Sequence, residues 1–200
     1  MKLKVCGMRE ADNIRDLLEL EPDYMGMIFY EKSPRCVLEM PKADLSGVEK
    51  VGVFVNASDE EMKEKAQTYG LDLLQLHGEE PVDQVKRLKE HGFKLIKVFS
   101  VADELPIASM QAYSPYVDYF LFDTKTPAYG GSGQKFDWGI LKDYDLEKPF
   151  FLSGGIELDD LDAIRQLGVK QLYAIDVNSR FELAPAVKDI KKIKALKDKL

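Results

Sequence analysis

The stretch Val51-Gly52-Val53-Phe54-Val55-Asn56-Ala57-Ser58 joins an almost continuous apolar run to the start of a helix. Such a run is typical of a parallel strand that is covered on both faces. The Ser58 hydroxyl can cap the first turn of the following helix, and Glu61 three residues later completes a capping box. This stretch therefore predicts one strand followed by one helix.

The same strand-then-helix pattern recurs along the whole chain. Segments with helical punctuation separate eight apolar runs, which are Leu3–Cys6, Tyr24–Phe29, Val51–Val55, Leu71–Leu76, Leu95–Val98, Val117–Phe122, Phe150–Leu152 and Leu172–Val177. Eight such units predict an α/β fold, the (β/α)8 TIM barrel with eight parallel strands. A flavodoxin-like sheet would need fewer strands, and a Rossmann domain would carry Gly-x-Gly-x-x-Gly after the first strand, which the sequence lacks.

Several helix boundaries follow from local residue types. The segment from Pro41 to Glu49 is short and rich in Asp, Ser and Gly, so we predict one rudimentary helix after strand 2. Pro81 suits a first helical position, and Gly92 and Gly168 suit left-handed helix ends. The last helix is predicted from about Pro185 to Leu200, with six lysines on a solvated face.

Length, composition and charge restrict the class of protein. The 200 residues contain no low-complexity linker, which predicts a single catalytic domain over residues 1–200. A net charge of −7 without a basic block before the final lysines argues against nucleic acid as a partner. The sequence has no apolar stretch long enough to span a bilayer, two cysteines and no signal-peptide pattern, so we expect a cytoplasmic protein with no membrane partner.

Polar residues follow the apolar runs. In a (β/α)8 barrel the reactive residues come from the C-terminal ends of the strands and the loops after them. At these positions the sequence has Cys6, Arg35, Asn56, His77, Ser100, Asp123, Ser153 and Asp176. We therefore expect a polar ring above an apolar barrel.

Cys6 and Asp123 are the candidate proton-transfer groups. A thiol with an ordinary pKa is mostly protonated near neutrality, so a catalytic Cys6 requires a local positive field, and Lys4 points the same way along the strand. The alternative is an inert buried cysteine. Asp123 follows Phe120-Leu121-Phe122, where partial burial would raise its pKa and suit it to donate a proton; the alternative is a residue that only caps a loop.

Two loops are candidates for binding a phosphate. Ser153-Gly154-Gly155 follows the seventh run and Asp176-Val177-Asn178-Ser179 completes the eighth, the usual phosphate position in such barrels. The long loop after Asp123 includes Gly130-Gly131-Ser132-Gly133, whose backbone amides can approach a ligand closely.

Arg35 and His77 are candidate ligand-binding side chains. The Arg35 guanidinium could hold a carboxylate through two parallel hydrogen bonds, or it could be an ordinary surface arginine. His77 could face the ligand or bond to its own loop. With His91 as the only other histidine, the chain cannot build a multi-histidine metal site, and it also lacks the nucleophile elbow of a Ser-His-Asp hydrolase.

Six short motifs occur in the order of one known family. They are Lys4-Val5-Cys6-Gly7, Lys32-Ser33-Pro34-Arg35, Val51-Gly52-Val53-Phe54-Val55-Asn56, Leu74-Gln75-Leu76-His77-Gly78-Glu79-Glu80, Asp123-Thr124-Lys125 with Gly130-Gly131-Ser132-Gly133, and Leu152-Ser153-Gly154-Gly155-Ile156. Over its whole length the chain resembles the phosphoribosylanthranilate isomerases of the phosphate-binding barrel superfamily.

This resemblance implies an activity. It is the Amadori rearrangement of N-(5-phosphoribosyl)anthranilate to 1-(2-carboxyphenylamino)-1-deoxyribulose 5-phosphate in tryptophan biosynthesis, by acid–base catalysis without a metal or an organic cofactor. The partner would be this small phosphorylated substrate, and the chain would work as a monomer or a homodimer.

The resemblance also implies residue roles. Asp123 would protonate the furanose ring oxygen, the Cys6 thiolate would remove the C2 proton, and Arg35 would hold the anthranilate carboxylate. The other implied substrate contacts are Gln75, His77 and Asp176. The implied phosphate contacts are Gly131, Ser132, Gly133, Ser153, Gly154, Gly155, Asn178 and Ser179.

The chain departs from the family pattern at two places. Family members commonly carry Ser-Ser-Gly-Val-Glu after the eighth strand, where this chain has Asn178-Ser179-Arg180-Phe181-Glu182. Arg180 would therefore either add a charged contact to the substrate or turn outward with the loop rearranged. Cys36 replaces the aromatic residue that usually follows the arginine, and we interpret it as a packing residue.

Three other functions are compatible with the same barrel. The related histidine-pathway isomerase uses two aspartates, and Cys6 stands where the first of them would be. Aldolase or synthase relatives would need a lysine deep in the site, for which Lys97 on the fifth strand is the candidate. A non-catalytic phosphosugar sensor would not need both Cys6 and Asp123.

Overall fold

Eight parallel strands close into a barrel in the order of the chain. A computed structural model describes residues 1–124 and 135–200. The strands are β1 Lys2–Val5, β2 Tyr24–Ile28, β3 Glu49–Phe54, β4 Leu73–Leu76, β5 Lys94–Val101, β6 Tyr119–Thr124, β7 Phe150–Leu152 and β8 Leu172–Val177. Because β8 pairs with β1, with Leu3 opposite Ile175, no strand edge of the barrel remains open. The predicted (β/α)8 fold is confirmed.

Helices alternate with the strands. They are α1 Ala11–Leu18, α2 Asp59–Tyr69, α3 Val82–Glu90, α4 Ile107–Tyr113, α5 Leu161–Gln166 and α6 Ile190–Lys197, with short 3-10 helices at Ser114–Tyr116, Trp138–Asp143, Leu158–Asp160 and Ser179–Phe181. The Ser58 hydroxyl caps α2 by accepting a hydrogen bond from the Glu61 amide at 3.1 Å, as predicted. In the part of the chain that the structure describes, no helix is both long and apolar enough to cross a membrane.

Two helix predictions are wrong in detail. Residues 29–48 form no helix, so the rudimentary helix predicted after strand 2 is absent. In this segment the Asp44 side chain accepts a hydrogen bond from the Ser46 amide, and such local side-chain bonds compete with the backbone hydrogen bonds of a helix. Pro185 lies in the turn of a hairpin between β9 Glu182–Ala184 and β10 Val187–Lys188. The last helix therefore begins only at Ile190, after the cap residue Asp189.

The predicted glycine positions at the helix ends agree with the structure. Gly92 and Gly168 have left-handed φ angles of 88° and 65°, which glycine adopts without a steric penalty. Pro81 is the cap residue of α3 and precedes its first helical residue, one position from the prediction. Different criteria for the end of a helix commonly place the boundary about one or two residues apart.

Apolar side chains fill the barrel interior and close its lower end. Eight buried residues form this inner core, namely Tyr24, Val51, Leu73, Ile96, Val98, Leu121, Phe151 and Ala174. At the N-terminal ends of the strands the rings of Tyr119 and Tyr173 stack 5.0 Å apart, and the hydroxyls of Tyr24 and Tyr173 lie 2.9 Å apart. Because this end is packed with aromatic rings, the C-terminal end of the barrel is the one available for ligands.

The buried ion pair between Lys97 and Glu80 connects the loops that follow β3 and β4. The Lys97 ammonium lies 2.7 Å from Glu80 Oε2 and donates to the Gly78 carbonyl, also at 2.7 Å. Glu80 Oε1 accepts hydrogen bonds from the backbone amides of Asn56 and Gly78 at 3.0 and 2.9 Å. Since Lys97 Nζ also lies over the Tyr113 ring of α4, its side chain faces the helix layer and not the barrel mouth. It is not the deep lysine that an aldolase or synthase would need.

Replacing Lys97 by Met should lower the free energy of unfolding by about 3–5 kcal/mol, because Glu80 would keep a buried charge without its partner. Lys94→Met on the same strand is the matched control, since Lys94 is exposed, and should change stability by less than about 0.5 kcal/mol. Urea unfolding of both variants measures the difference. Equal stabilities would show that the pair contributes nothing.

Candidate active site

Five of the residues predicted from sequence share the upper end of the barrel. Gln75 lies in β4, Asp123 in β6 and Asp176 in β8, while Cys6 and His77 directly follow β1 and β4. His77 connects two of them, because its Nδ1 is 3.1 Å from Gln75 Nε2 and its Nε2 is 3.4 Å from Asp123 Oδ2. Asp123 and His77 both interact electrostatically with the Asp176 carboxyl. The barrel thus brings side chains from four strands into one polar cluster.

Cys6 is a free thiol buried at the inner wall of this mouth. It is 4% exposed and packs with Ile28 and Val53. A Cβ at Gly26 on the neighbouring strand would lie 2.8 Å from the Cys6 sulfur, so only glycine leaves room for the thiol there. Burial raises the pKa of Cys6 above the ordinary thiol value, and the positive charge of Lys4 opposes this without outweighing it.

A fully buried ion pair lies beside the thiol. Lys4 is 0% exposed, and its ammonium lies 2.7 Å from Asp176 Oδ2, which belongs to the paired position on β8. Burial raises the pKa of Asp176, although Lys4 opposes the shift. A positive field next to Cys6 therefore exists, as the sequence required for a reactive thiol, and the charge of Asp176 opposes part of it.

Two buried oxygen atoms near this pair have no hydrogen-bond partner among the described residues. They are Asp176 Oδ1 and Gln75 Oε1. A buried acceptor without a donor costs about 1–3 kcal/mol, so both atoms gain from a ligand that brings hydroxyl groups. The site is therefore prepared to accept hydrogen bonds from a polyhydroxylated molecule.

The Asp123 carboxylate is held from two sides. Its Oδ1 accepts from the Thr124 amide at 2.9 Å, and its Oδ2 faces His77. The side chain is 14% exposed, so it is partly desolvated yet open to the mouth. This placement suits a group that exchanges a proton with a ligand, and it differs from the exposed position of a residue that only caps a loop.

Arg35 lies on the opposite side of the mouth in an ionic network that the sequence did not reveal. Its Nε and Nη2 bind the two oxygens of Glu182 at 2.9 and 2.7 Å. Glu182 Oε1 also lies 2.5 Å from the Lys188 ammonium, which in turn donates to Asn178 Oδ1 at 2.6 Å. Lys188 is 1% exposed and does not belong to the solvated face to which we assigned it, because β10 turns it inward. No local pattern signals these contacts.

The predicted phosphate residues occupy adjacent turns. Gly154 and Gly155 after β7 have φ angles of 94° and 67°, and a Cβ at Gly154 would lie 2.9 Å from the Thr124 amide nitrogen. Ser153 precedes them, and its amide donates to the Phe122 carbonyl. Asn178 and Ser179 lie at the start of a 3-10 helix, where the Asn178 side chain is engaged by Lys188. The remaining predicted phosphate residues, Gly131, Ser132 and Gly133, lie outside the described residues.

Arg180 is turned toward the surface. Its side chain is 46% exposed, and Nη1 lies 3.8 Å from Glu157 in the loop after β7. This position favours the outward arrangement over a direct contact with a ligand. Cys36 is 8% exposed and packed, in agreement with a packing role. Within residues 1–124 and 135–200 there is no cluster of three or more His, Cys, Asp or Glu side chains that could hold a metal ion.

Comparison with known proteins gives one consistent result. The family model described as N-(5'-phosphoribosyl)anthranilate isomerase matches residues 3–199. The chain is 48% identical over 200 residues to the enzyme of that name from Parabacteroides distasonis, covering 97% of this chain and 90% of the relative.

Two solved structures are similar over almost their entire length. The phosphoribosyl anthranilate isomerase of Thermotoga maritima has 32% identity and a TM-score of 0.85, with 100% of both chains covered. A second such isomerase, in complex with reduced 1-(o-carboxyphenylamino)-1-deoxyribulose 5-phosphate, has 28% identity and a TM-score of 0.81, with 99% of this chain and 97% of that chain covered.

Gly7→Ala should destabilise the protein more than Gly92→Ala does. Both glycines have left-handed φ angles, of 77° and 88°, so alanine costs about 1–2 kcal/mol at either position. At Gly7 a Cβ would also lie 2.8 Å from both Arg35 Cδ and Asn178 Oδ1, whereas nothing lies within 4 Å at Gly92. We expect about 1–3 kcal/mol of additional loss at Gly7. Urea unfolding measures both, and equal losses would contradict this tight packing.

Proposed function

The chain belongs to the N-(5'-phosphoribosyl)anthranilate isomerase family, and we propose that Cys6 and Asp123 carry out its reaction. It is an isomerase of tryptophan biosynthesis that converts N-(5-phosphoribosyl)anthranilate to 1-(2-carboxyphenylamino)-1-deoxyribulose 5-phosphate by an Amadori rearrangement. The observation that supports the residue roles is the position of a buried thiol directly after β1 and a partly buried carboxylate in β6, at the same end of the barrel.

Asp123 acts first, as the general acid. It gives its proton to the furanose ring oxygen while the bond between C1 and that oxygen breaks, and the nitrogen lone pair forms the C1=N bond of a protonated Schiff base. His77, 3.4 Å from Asp123 Oδ2, keeps the carboxyl oriented toward the mouth. A positioned acid of this kind contributes about 10²–10⁴-fold to a rate.

Cys6 acts second, as the general base. Its thiolate removes the C2 proton, and the electrons of the broken C–H bond form a C1=C2 bond and neutralise the iminium nitrogen. The resulting enolamine becomes the product when the C2 hydroxyl loses its proton to give the ketone, the electrons of the C1=C2 bond shift to C1, and C1 takes up a proton. The thiolate and the carboxylic acid can act on neighbouring atoms without neutralising each other, because Cys6 follows β1 and Asp123 lies in β6, and these strands are not adjacent in the barrel.

The remaining predicted residues bind the two ends of the substrate. Arg35 takes the anthranilate carboxylate, and the sugar hydroxyls donate to the unpaired oxygens of Asp176 and Gln75 near His77. The phosphate is bound by the turns at Ser153, Gly154, Gly155, Asn178 and Ser179, and we assign Gly131, Ser132 and Gly133 to the same group.

Residues 1–200 form one catalytic unit in this proposal. We place it in the cytoplasm, where the free thiols Cys6 and Cys36 stay reduced. The closed barrel leaves no strand edge that must be paired, so both a monomer and a homodimer satisfy it. Sedimentation velocity distinguishes the two states.

Cys6→Ser and Asp123→Asn should each lower kcat/KM by about 10²-fold or more, because each removes one proton-transfer group. Loss of substrate fluorescence on adding the purified enzyme measures the activity. Cys36→Ser and Asp143→Asn are the matched controls, a packed thiol and an exposed carboxylate that take no part in the proposed steps, and should stay near the wild-type rate. Undiminished activity in both test variants would rule out these roles.

The Cys6 thiol should ionise only in the alkaline range. Burial raises the pKa of Cys6, so the thiolate fraction grows as pH rises toward a value above the ordinary thiol pKa. The difference in ultraviolet thiolate absorbance between the wild type and Cys6→Ser, followed against pH, measures this, with circular dichroism over the same range as the control for folding. A thiolate signal that is already complete below about pH 8 would contradict a raised thiol pKa.

A further inference from the structure

Glu182 and Lys188 form a buried ionic cluster with Arg35 that the catalytic steps above do not use. The side chains of Arg35, Glu182 and Lys188 are 12%, 5% and 0% exposed. Neither Glu182 nor Lys188 is a residue that touches the reacting atoms in the proposed mechanism. Buried ions are costly unless they are paired, so this cluster requires a functional or structural reason.

The geometry leaves one edge of the guanidinium open. Arginine is planar and can bind a carboxylate through its Nε/Nη2 edge or through its Nη1/Nη2 end. Glu182 occupies the first edge, with Nε 2.9 Å from Oε1 and Nη2 2.7 Å from Oε2. Within the described residues Nη1 of Arg35 makes no hydrogen bond. A second carboxylate can therefore bind the end of the same guanidinium while Glu182 stays in place.

The charges of the cluster favour this second carboxylate. Glu182 alone would neutralise Arg35 and repel an anionic ligand. Lys188 lies 2.5 Å from the same carboxylate, so the two cations and one anion leave one positive charge. Burial raises the pKa of Glu182, but Arg35 and Lys188 more than offset this and lower it. Burial lowers the pKa of Lys188, and the carboxylate of Glu182, to which its Nζ donates as it does to Asn178, opposes this shift and favours the charged form.

Backbone contacts hold Glu182 and Lys188 in these positions. Glu182 Oε1 accepts from the Ala186 amide at 3.1 Å inside the β9–β10 hairpin. The Asn13 side chain of α1 binds the backbone of Lys188 twice, accepting from its amide at 2.7 Å and donating to its carbonyl at 3.0 Å. The hairpin is therefore attached to the first helix, and the guanidinium is oriented before a ligand arrives.

We propose that Glu182, supported by Lys188, is a specificity-determining positioning residue that orients Arg35 to bind the aryl carboxylate of the substrate end-on. This proposal rests on the proposed function, in which Arg35 is the group that binds that carboxylate. Glu182 selects for ligands with the carboxylate because a fixed guanidinium loses little rotational freedom on binding.

The test compares two inhibitors by isothermal titration calorimetry. The first is reduced 1-(o-carboxyphenylamino)-1-deoxyribulose 5-phosphate, and the second is the same compound without the carboxylate. Glu182→Gln should weaken binding of the first about tenfold and leave that of the second within about twofold. Arg35→Met should weaken only the first, and Arg35→Met with Glu182→Gln should bind no worse than Arg35→Met alone, because Glu182 acts through Arg35. Exposed Glu64→Gln is the matched control.

The two ways to fail are distinguishable. If Arg35→Met weakens both inhibitors equally or neither of them, the carboxylate role of Arg35 is wrong and the proposed function changes there. If Arg35→Met discriminates but Glu182→Gln binds both inhibitors as the wild type does, or weakens both equally, only the positioning role of Glu182 is overturned.

A second measurement needs no variant and covers the case in which Glu182→Gln does not fold. In a crystal structure of the wild-type enzyme with the carboxylated inhibitor, we expect Glu182 to remain on Nε and Nη2 while the ligand carboxylate binds Nη1 and Nη2. A ligand carboxylate that displaces Glu182 from Arg35 would overturn the proposal.

Discussion

The burial of charged side chains above an apolar barrel is the constraint on which the architecture of the mouth depends. A buried charge persists only with a partner, and each partner here comes from a different part of the chain: Lys4 with Asp176 and Arg35 with Glu182 at the mouth, and Lys97 with Glu80 on the side of the helix layer. The pairs determine which loops are fixed and which side chains face inward. The strands determine where the charged side chains lie, and the ion pairs determine how these side chains are oriented.

The proposed acid and base experience this constraint differently. Asp123 stays partly open, with Oδ1 on the Thr124 amide and Oδ2 facing His77, whereas Cys6 is packed against apolar residues and lies in the field of Lys4, which Asp176 partly opposes. The pKa of the Cys6 thiol therefore depends on a carboxylate of the neighbouring strand β8. Any change in the charge of Asp176 changes the electrostatic field at Cys6, although Asp176 is 170 positions later in the chain.

Much of this arrangement is predictable from sequence, because it follows from short-range patterns. Eight apolar runs predict the strands, and the first polar residue after a run, such as Cys6 or Asp123, marks the mouth. The network around Arg35 is not predictable in this way, because Glu182 is separated from it by 147 residues. Lys188 resembles its solvated neighbours in sequence, and only the hairpin, which replaces the first turn of the expected last helix, turns it inward.

The attachment of the β9–β10 hairpin to α1 has a consequence for synthesis in the cell. Lys4, Cys6 and Arg35 are translated well before Asp176, Glu182 and Lys188. Until they arrive, the early cations have no counter-ions and the barrel has no eighth strand to close it. The nascent chain therefore cannot complete the proposed site one unit at a time, and the site forms in a single step when the segment from β8 to β10 docks onto β1 and α1.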